Sequence, residues 1–255
     1  MRRVKRYVRA LSALLLLAGC RAQPPAPTPT PEPATVETFC STPTPDPTHE
    51  PVNIEVDVGD GEHTFWVEPV RPGEPGEVQV NIYQQKNDSQ LFQCFAEWSP
   101  DYEIIGLMAE DVNFDGYMDF QVHLVTGTWG GQWSAYYIWN AEQEQFVRDP
   151  YGLEDLPLPK FDPEKQIIET WSHSASNYTI EFYRYLDGKL TCVRRLRNRE
   201  NYTDDFTATL TVEEYDRETG ALEEVYREEQ AEIGGVTYAT TDEFRRWHDI
   251  DYPGE

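Results

Sequence analysis

Asp111-Val-Asn-Phe-Asp-Gly-Tyr-Met-Asp119 is the stretch that leaves this chain least freedom. It puts carboxylate or amide side chains at positions one, three, five and nine of a short loop, with glycine at six. Glycine there admits the sharp backbone turn that such a loop needs, and oxygens at those spacings converge on one point. Ile104-Ile-Gly-Leu-Met108 precedes the loop and Phe120-Gln-Val-His-Leu-Val125 follows it. Both apolar runs read as strands, so the loop joins two strands rather than the two helices of an EF-hand.

The cation that suits this set is Ca2+. Asp111, Asn113, Asp115 and Asp119 would offer side-chain oxygens, one of them through water, and Tyr117 its backbone carbonyl. A full EF-hand loop carries a bidentate glutamate at position twelve. Here that position is Val122. One carboxylate fewer implies weaker binding, in the ~10⁻⁴–10⁻³ M range of extracellular modules. The competing reading is an Asx-rich turn without metal, since turns favour aspartate and asparagine in any case.

Around this loop the pattern has period two. Val52-Asn-Ile-Glu-Val-Asp-Val58 alternates, Asp60-Gly61 is a turn signal, and His63-Thr-Phe-Trp-Val67 returns. Val78–Tyr83 and Leu91–Phe95 are further strands, as are Ala135–Trp139 and Gln145–Val147 around a turn at Asn140–Glu144. Tyr178–Tyr185 and Leu190–Val193 flank Asp187-Gly188, and Ala208–Tyr215 and Leu222–Tyr226 flank Asp216–Gly220. Strand–turn–strand units at similar spacing predict an all-β antiparallel meander with propeller-like or sandwich-like packing. The one helix expected is short and C-terminal. It covers Thr241–His248, with Thr241 as cap and Asp242 and Glu243 in the first turn.

The loop, the glycine-rich segment after it, Tyr136-Tyr-Ile-Trp-Asn140 and Gln145-Phe-Val147 resemble a family of bacterial surface lipoproteins. The loop itself is similar to those of integrin-type FG-GAP and VCBS repeats. One branch of the resembling family consists of periplasmic lipoproteins that inhibit lysozyme-like effectors of bacterial secretion systems. The resemblance spans about Ile104 to Val193 and implies a propeller-like all-β fold with a calcium loop. It carries over only Asp111, Asn113, Asp115, Tyr117 and Asp119. Repeat propellers hold several copies of the motif, and this chain has one clear copy.

The N-terminus points to export. Arg2, Arg3, Lys5, Arg6 and Arg9 precede a short apolar run from Ala10 to Leu17, and Leu17-Ala-Gly-Cys20 matches the bacterial lipobox. Residues 1–19 are then a lipoprotein signal peptide, and Cys20 takes the lipid on its thiol and amine. Several acyl chains together, palmitate among them, anchor stably where one does not. Residues 20–51 hold ten of the chain's 19 prolines. Such a segment cannot bury a core and favours polyproline II, giving a disordered stalk that reaches on the order of 90 Å at ~3.1 Å per residue. Residues 52–255 form one all-β calcium-binding domain. Cleavage removes five basic residues and no acidic one from a chain whose formal charge is already −25. So acidic a surface repels nucleic acid and anionic lipid headgroups and suits basic partners.

If Cys20 is lipidated, Cys40, Cys94 and Cys192 remain. Cys94 and Cys192 both sit in strand-like sequence, either as a disulfide or as buried thiols, while Cys40 in the stalk is read as unpaired. Trp129 and Trp133, in the Gly127-Thr-Trp-Gly-Gly-Gln-Trp133 loop, are the recognition candidates, against a reading in which they plug the core. No nucleophile elbow, His-Glu-x-x-His or phosphate loop is present, and His63, His123 and His173 are isolated, so no enzyme is expected. The expected protein is a lipid-anchored domain on the extracellular or periplasmic side of the cell membrane. It would bind or inhibit a protein of the cell envelope, or else bind or process a carbohydrate there.

Overall fold

A computed structural model describes residues 52–70, 77–86, 88, 90–98, 106–126, 132–174, 177–201, 207–231 and 242–251. The chain divides into the units Met1–Thr35 and Val36–Glu255, and every described residue belongs to the second. The expected leader and the whole of the proline-rich segment, residues 1–51, lie outside the described residues.

Three antiparallel sheets follow one another along the chain. The first is β1 (Ile54–Asp57), β2 (Thr64–Val70), β3 (Glu77–Tyr83) and β4 (Gln93–Trp98) in that order. The second is β5 (Gly106–Glu110), β6 (Asp119–Thr126), β7 (Gln132–Asn140) and β8 (Gln145–Arg148). The third runs from β9 (Lys160–Asp162) through β10 (Ile167–Ser174), β11 (Asn177–Leu186), β12 (Lys189–Asn201) and β13 (Thr207–Asp216) to β14 (Ala221–Ala231). Every neighbouring pair is sequential and antiparallel, so each sheet is a meander. None of the three closes into a barrel among the described residues. The fold is thus all-β, as the alternation predicts, with one short helix α1 (Asp242–His248).

Alternation decides which face each strand buries. Val56 and Val58, Phe65 and Val67, and Val78, Val80 and Ile82 from the first sheet meet Phe120, Val122, Tyr137 and Trp139 from the second in one shared core. Phe65, Trp139, Phe146 and Phe120 stack there at centroid distances of 4.9–5.3 Å, edge-on or tilted. A second core forms where α1 lays Phe244 and Trp247 on Ile180, Phe182, Leu196, Leu210 and Val212 of the third sheet. Arg194 holds the helix in place. It donates to the carbonyls of Trp247 (3.1 Å) and Asp249 (2.8 Å) at the helix end and pairs with Glu214.

β9 and β10 escape the period-two reading, and β12 runs eight residues past the Leu190–Val193 segment expected for it. β10 is hard to see because Ile167 and Ile168 stand side by side. Ile167 enters the core beneath α1, while Ile168 points the other way into a third cluster with Val112, Tyr136, Ile138 and Leu153. A strand buried on both faces shows no alternation. Asp187-Gly188 makes the tight hairpin turn its sequence announces, with φ +50° and +73° at the two positions and Leu186 opposite Lys189.

Candidate metal centre

The β5–β6 hairpin closes at Glu110 opposite Asp119, which leaves Asp111–Met118 as the connecting loop. Its side chains cap its own backbone. Asp111 accepts the amides of Asp115 (3.2 Å) and Gly116 (3.0 Å) on its two oxygens. The Asn113 carbonyl oxygen accepts Asp115 N–H (3.1 Å), and Asp115 accepts Tyr117 N–H (2.9 Å) and the Asn113 amide (2.8 Å). Gly116 sits at φ +91°, where a β-carbon is strained. Phe114 holds φ +60° without being glycine. Asp111, Asn113 and Asp115 thus surround the same few amides, as positions one, three and five of a cation loop must.

Asp119 is set differently. Its carboxylate is fully buried and accepts Trp139 N–H (2.8 Å) on one oxygen and Val112 N–H (3.0 Å) on the other. Each oxygen retains a second lone pair. Burial pushes this carboxyl up to about 8, and the charges of Asp115 and Asp111 push the same way against the two amides. None of the three aspartates has an ion pair with Lys, Arg or His among the described residues. A fully buried carboxylate directly after the loop and lacking a counter-ion is what a bound cation would compensate. The donor set is all oxygen, which suits a hard cation such as calcium. No group of three or more His, Cys, Asp and Glu side chains is arranged around a common metal position among the described residues. The set relies on the Asn113 amide and the Tyr117 carbonyl for its remaining donors.

The loop is also where the three sheets meet. Met118 N–H donates to the Val58 carbonyl of the first sheet (3.0 Å), and Tyr117 and Met118 pack on the shared core. Asp119 reaches β7 of the second sheet. On the third, the Tyr185 hydroxyl donates to the Val112 carbonyl (3.3 Å), and the Tyr185 ring lies edge-on to Phe114 at 6.2 Å. Sequence reading placed the loop between two strands and missed this third partner. The apolar residues Val112, Phe114, Tyr117 and Met118, interleaved with the acids, were the available signal.

The remaining sequence candidates fall as follows. Cys20 and Trp129 lie outside the described residues. Trp133 is described only as backbone, in β7 opposite Val125. The Cys94–Cys192 pairing is corrected. Cys94 is disulfide-bonded and Cys192 is a free thiol, so they are not joined to each other. The partner of Cys94 lies outside the described residues, where the chain has Cys20 and Cys40. Burial pushes the Cys192 thiol up to about 12, which keeps it protonated and inert to exchange. His63 bonds Asp60 (2.6 Å), His123 bonds Ser134 (2.7 Å), and His173 stacks on Trp171 at 4.9 Å. A network unseen in the sequence joins the first two sheets. Buried Glu97 on β4 accepts Arg148 of β8 in a fork (2.6 and 3.0 Å) and the Tyr137 hydroxyl of β7 (2.7 Å).

No protein-family model matches the chain, and no curated protein does. Among solved structures it is similar to one described as a Xanthomonas type IV secretion system related protein. That match has 15% identity and a TM-score of 0.46, and covers 70% of this chain and 100% of the other.

Proposed function

We propose that this chain is a lipid-anchored, extracytoplasmic β-domain in which Ca2+ at Asp111–Asp119 holds three sheets together, presenting a surface that binds or inhibits a protein of the cell envelope. The observation that carries the calcium reading is Asp119, fully buried, without a cationic partner, at the junction of all three sheets. The lipobox at Leu17–Cys20 supports the anchor, and the strongly acidic surface supports a basic protein partner. The lipoprotein-inhibitor resemblance of the calcium-loop region points to the same class.

Calcium is tested by thermal unfolding in EDTA and after calcium is restored. Linkage raises stability by about 2.7 kcal/mol when free calcium is about a hundredfold above its dissociation constant. Magnesium should be less effective, because it demands octahedral geometry and dehydrates reluctantly. Identical melts with and without chelator would sink the calcium reading. The partner is tested by capture from the same cell's envelope together with inhibition of muramidase activity.

A second reading, carbohydrate binding, draws on Trp171. Its indole is 42% exposed and stacked on His173 beside a polar groove of about 740 Å³ on the third sheet. Exposed aromatic faces stack on sugar rings. Glycan-array binding that disappears in Trp171→Ala would favour this reading over the first, and a silent array would remove it.

A further inference from the structure

The calcium loop borders a second site of opposite charge. Asn113 and Phe114 of the loop, Lys165 and Gln166 of the β9–β10 turn, and Arg184 and Tyr185 of β11 line a cleft of about 300 Å³. Arg184 is the anomaly there. Its Nε is buried with no hydrogen-bond acceptor, and its guanidinium makes no ion pair among the described residues.

In this chain that is unexpected. Asp and Glu number 46 against 21 Lys and Arg, so each cation has more than two carboxylates to choose from. Arg148, Arg194, Arg195, Arg197, Arg227, Arg245 and Arg246 all take one. Arg199 and Arg217 do not, but both are exposed and hydrated. Arg184 alone among the described arginines combines a desolvated Nε–H with the lack of any acceptor. A buried donor left unpaired costs stability unless something outside the chain completes it.

We propose that this cleft binds a small carboxylate, with Arg184 as the planar donor fork and Lys165 as the adjacent point charge. The class follows from charge and shape. A guanidinium fork matches two carboxylate oxygens in one plane. Lys165 already faces two carboxylates, Asp249 (3.4 Å) and Asp251 (3.2 Å), so Arg184 is the one lining cation without a carboxylate among the described residues, and a single guanidinium matches a single carboxylate better than a phosphate dianion. A polyanion is repelled by the −25 of the whole chain, and the volume lies at the small end of ligand pockets. The site does not depend on bound calcium, because both of its cations belong to the third sheet and its turn.

The test is an acetate titration of the full chain, followed by NMR of the arginine Nε–H signals. EDTA is present throughout, so no metal bridges the anion, and chloride holds ionic strength constant. One Nε–H resonance should shift saturably with a dissociation constant in the millimolar range. Lys165→Gln should weaken binding by roughly two- to tenfold, and Arg184→Gln should remove the shift. If Arg184→Gln does not fold, the wild-type titration and Lys165→Gln decide. The proposal is overturned if no Nε–H shifts saturably, or if the shift survives Arg184→Gln. Phosphate saturating the site at lower concentration than acetate would overturn the carboxylate assignment.

Discussion

Asp119 and Asp115 sit four residues apart in one loop and do different work. Asp119 is the acceptor for two buried amides, so Asp119→Ala leaves Val112 and Trp139 N–H unpaired with or without calcium. At about 1–3 kcal/mol for each orphaned donor, urea unfolding should show a loss of about 2–6 kcal/mol even in EDTA. Asp115 is exposed, and Asp115→Ala should change the EDTA value by less than about 1 kcal/mol while erasing the calcium-dependent gain. Equal effects of the two substitutions in EDTA would refute this division of labour. The β1–β2 turn carries its own titrating pair. The amide of Glu62, then the His63 ring and amide, hold Asp60 at about 2, and the Asp60 hydrogen bond raises His63 above its usual value. A raised histidine favours the folded state below its unfolded pKa and loses that contribution as pH climbs through the folded one. NMR titration should find His63 above about 6.5, returning toward that value in Asp60→Asn.

At the scale of elements, β10 decides how the third sheet joins the rest. Ile167 faces the helix core and Ile168 the cluster around Val112 that backs the Asp111–Met118 loop. Ile168→Ala removes a fully buried side chain from that cluster and should cost about 2–5 kcal/mol in chemical denaturation. Because Val112 lies in the same cluster, the substitution should also lower calcium affinity, measured by isothermal titration. Strands with one wet face, such as Val52–Val58 and Ala208–Tyr215, were legible from alternation. β10 was not, since adjacent isoleucines facing two cores look like any short apolar run. β9, three residues long, is too short to show a period at all.

For the whole molecule, covalent connectivity and anchoring are linked. Cys94 is bonded and Cys192 is free, and the other two cysteines of the chain, Cys20 and Cys40, lie outside the described residues. If Cys20 carries lipid, as the lipobox predicts, its thiol is consumed and the bond must go to Cys40. Peptide mapping without reduction should therefore find Cys40 joined to Cys94 and an acylated Cys20 peptide in the same sample. A Cys20–Cys94 peptide would overturn the lipoprotein reading.

Spacing along the chain was enough to determine the all-β meander, the short helix at Asp242–His248 and the tight Asp187-Gly188 turn. Each depends on side-chain periodicity or on one residue's allowed backbone, which are local properties. Only the tertiary structure decided that Asp119 is buried against two amides, that the loop touches all three sheets through Val58, Trp139 and Tyr185, and that Cys94 and Cys192 are not a pair. It alone left the Arg184 Nε without an acceptor among the described residues, in a chain crowded with carboxylates. Burial and partnership join residues far apart along the chain, 73 positions in the case of Tyr185 and Val112, and no local pattern encodes which of many acidic, aromatic or cysteine side chains will meet.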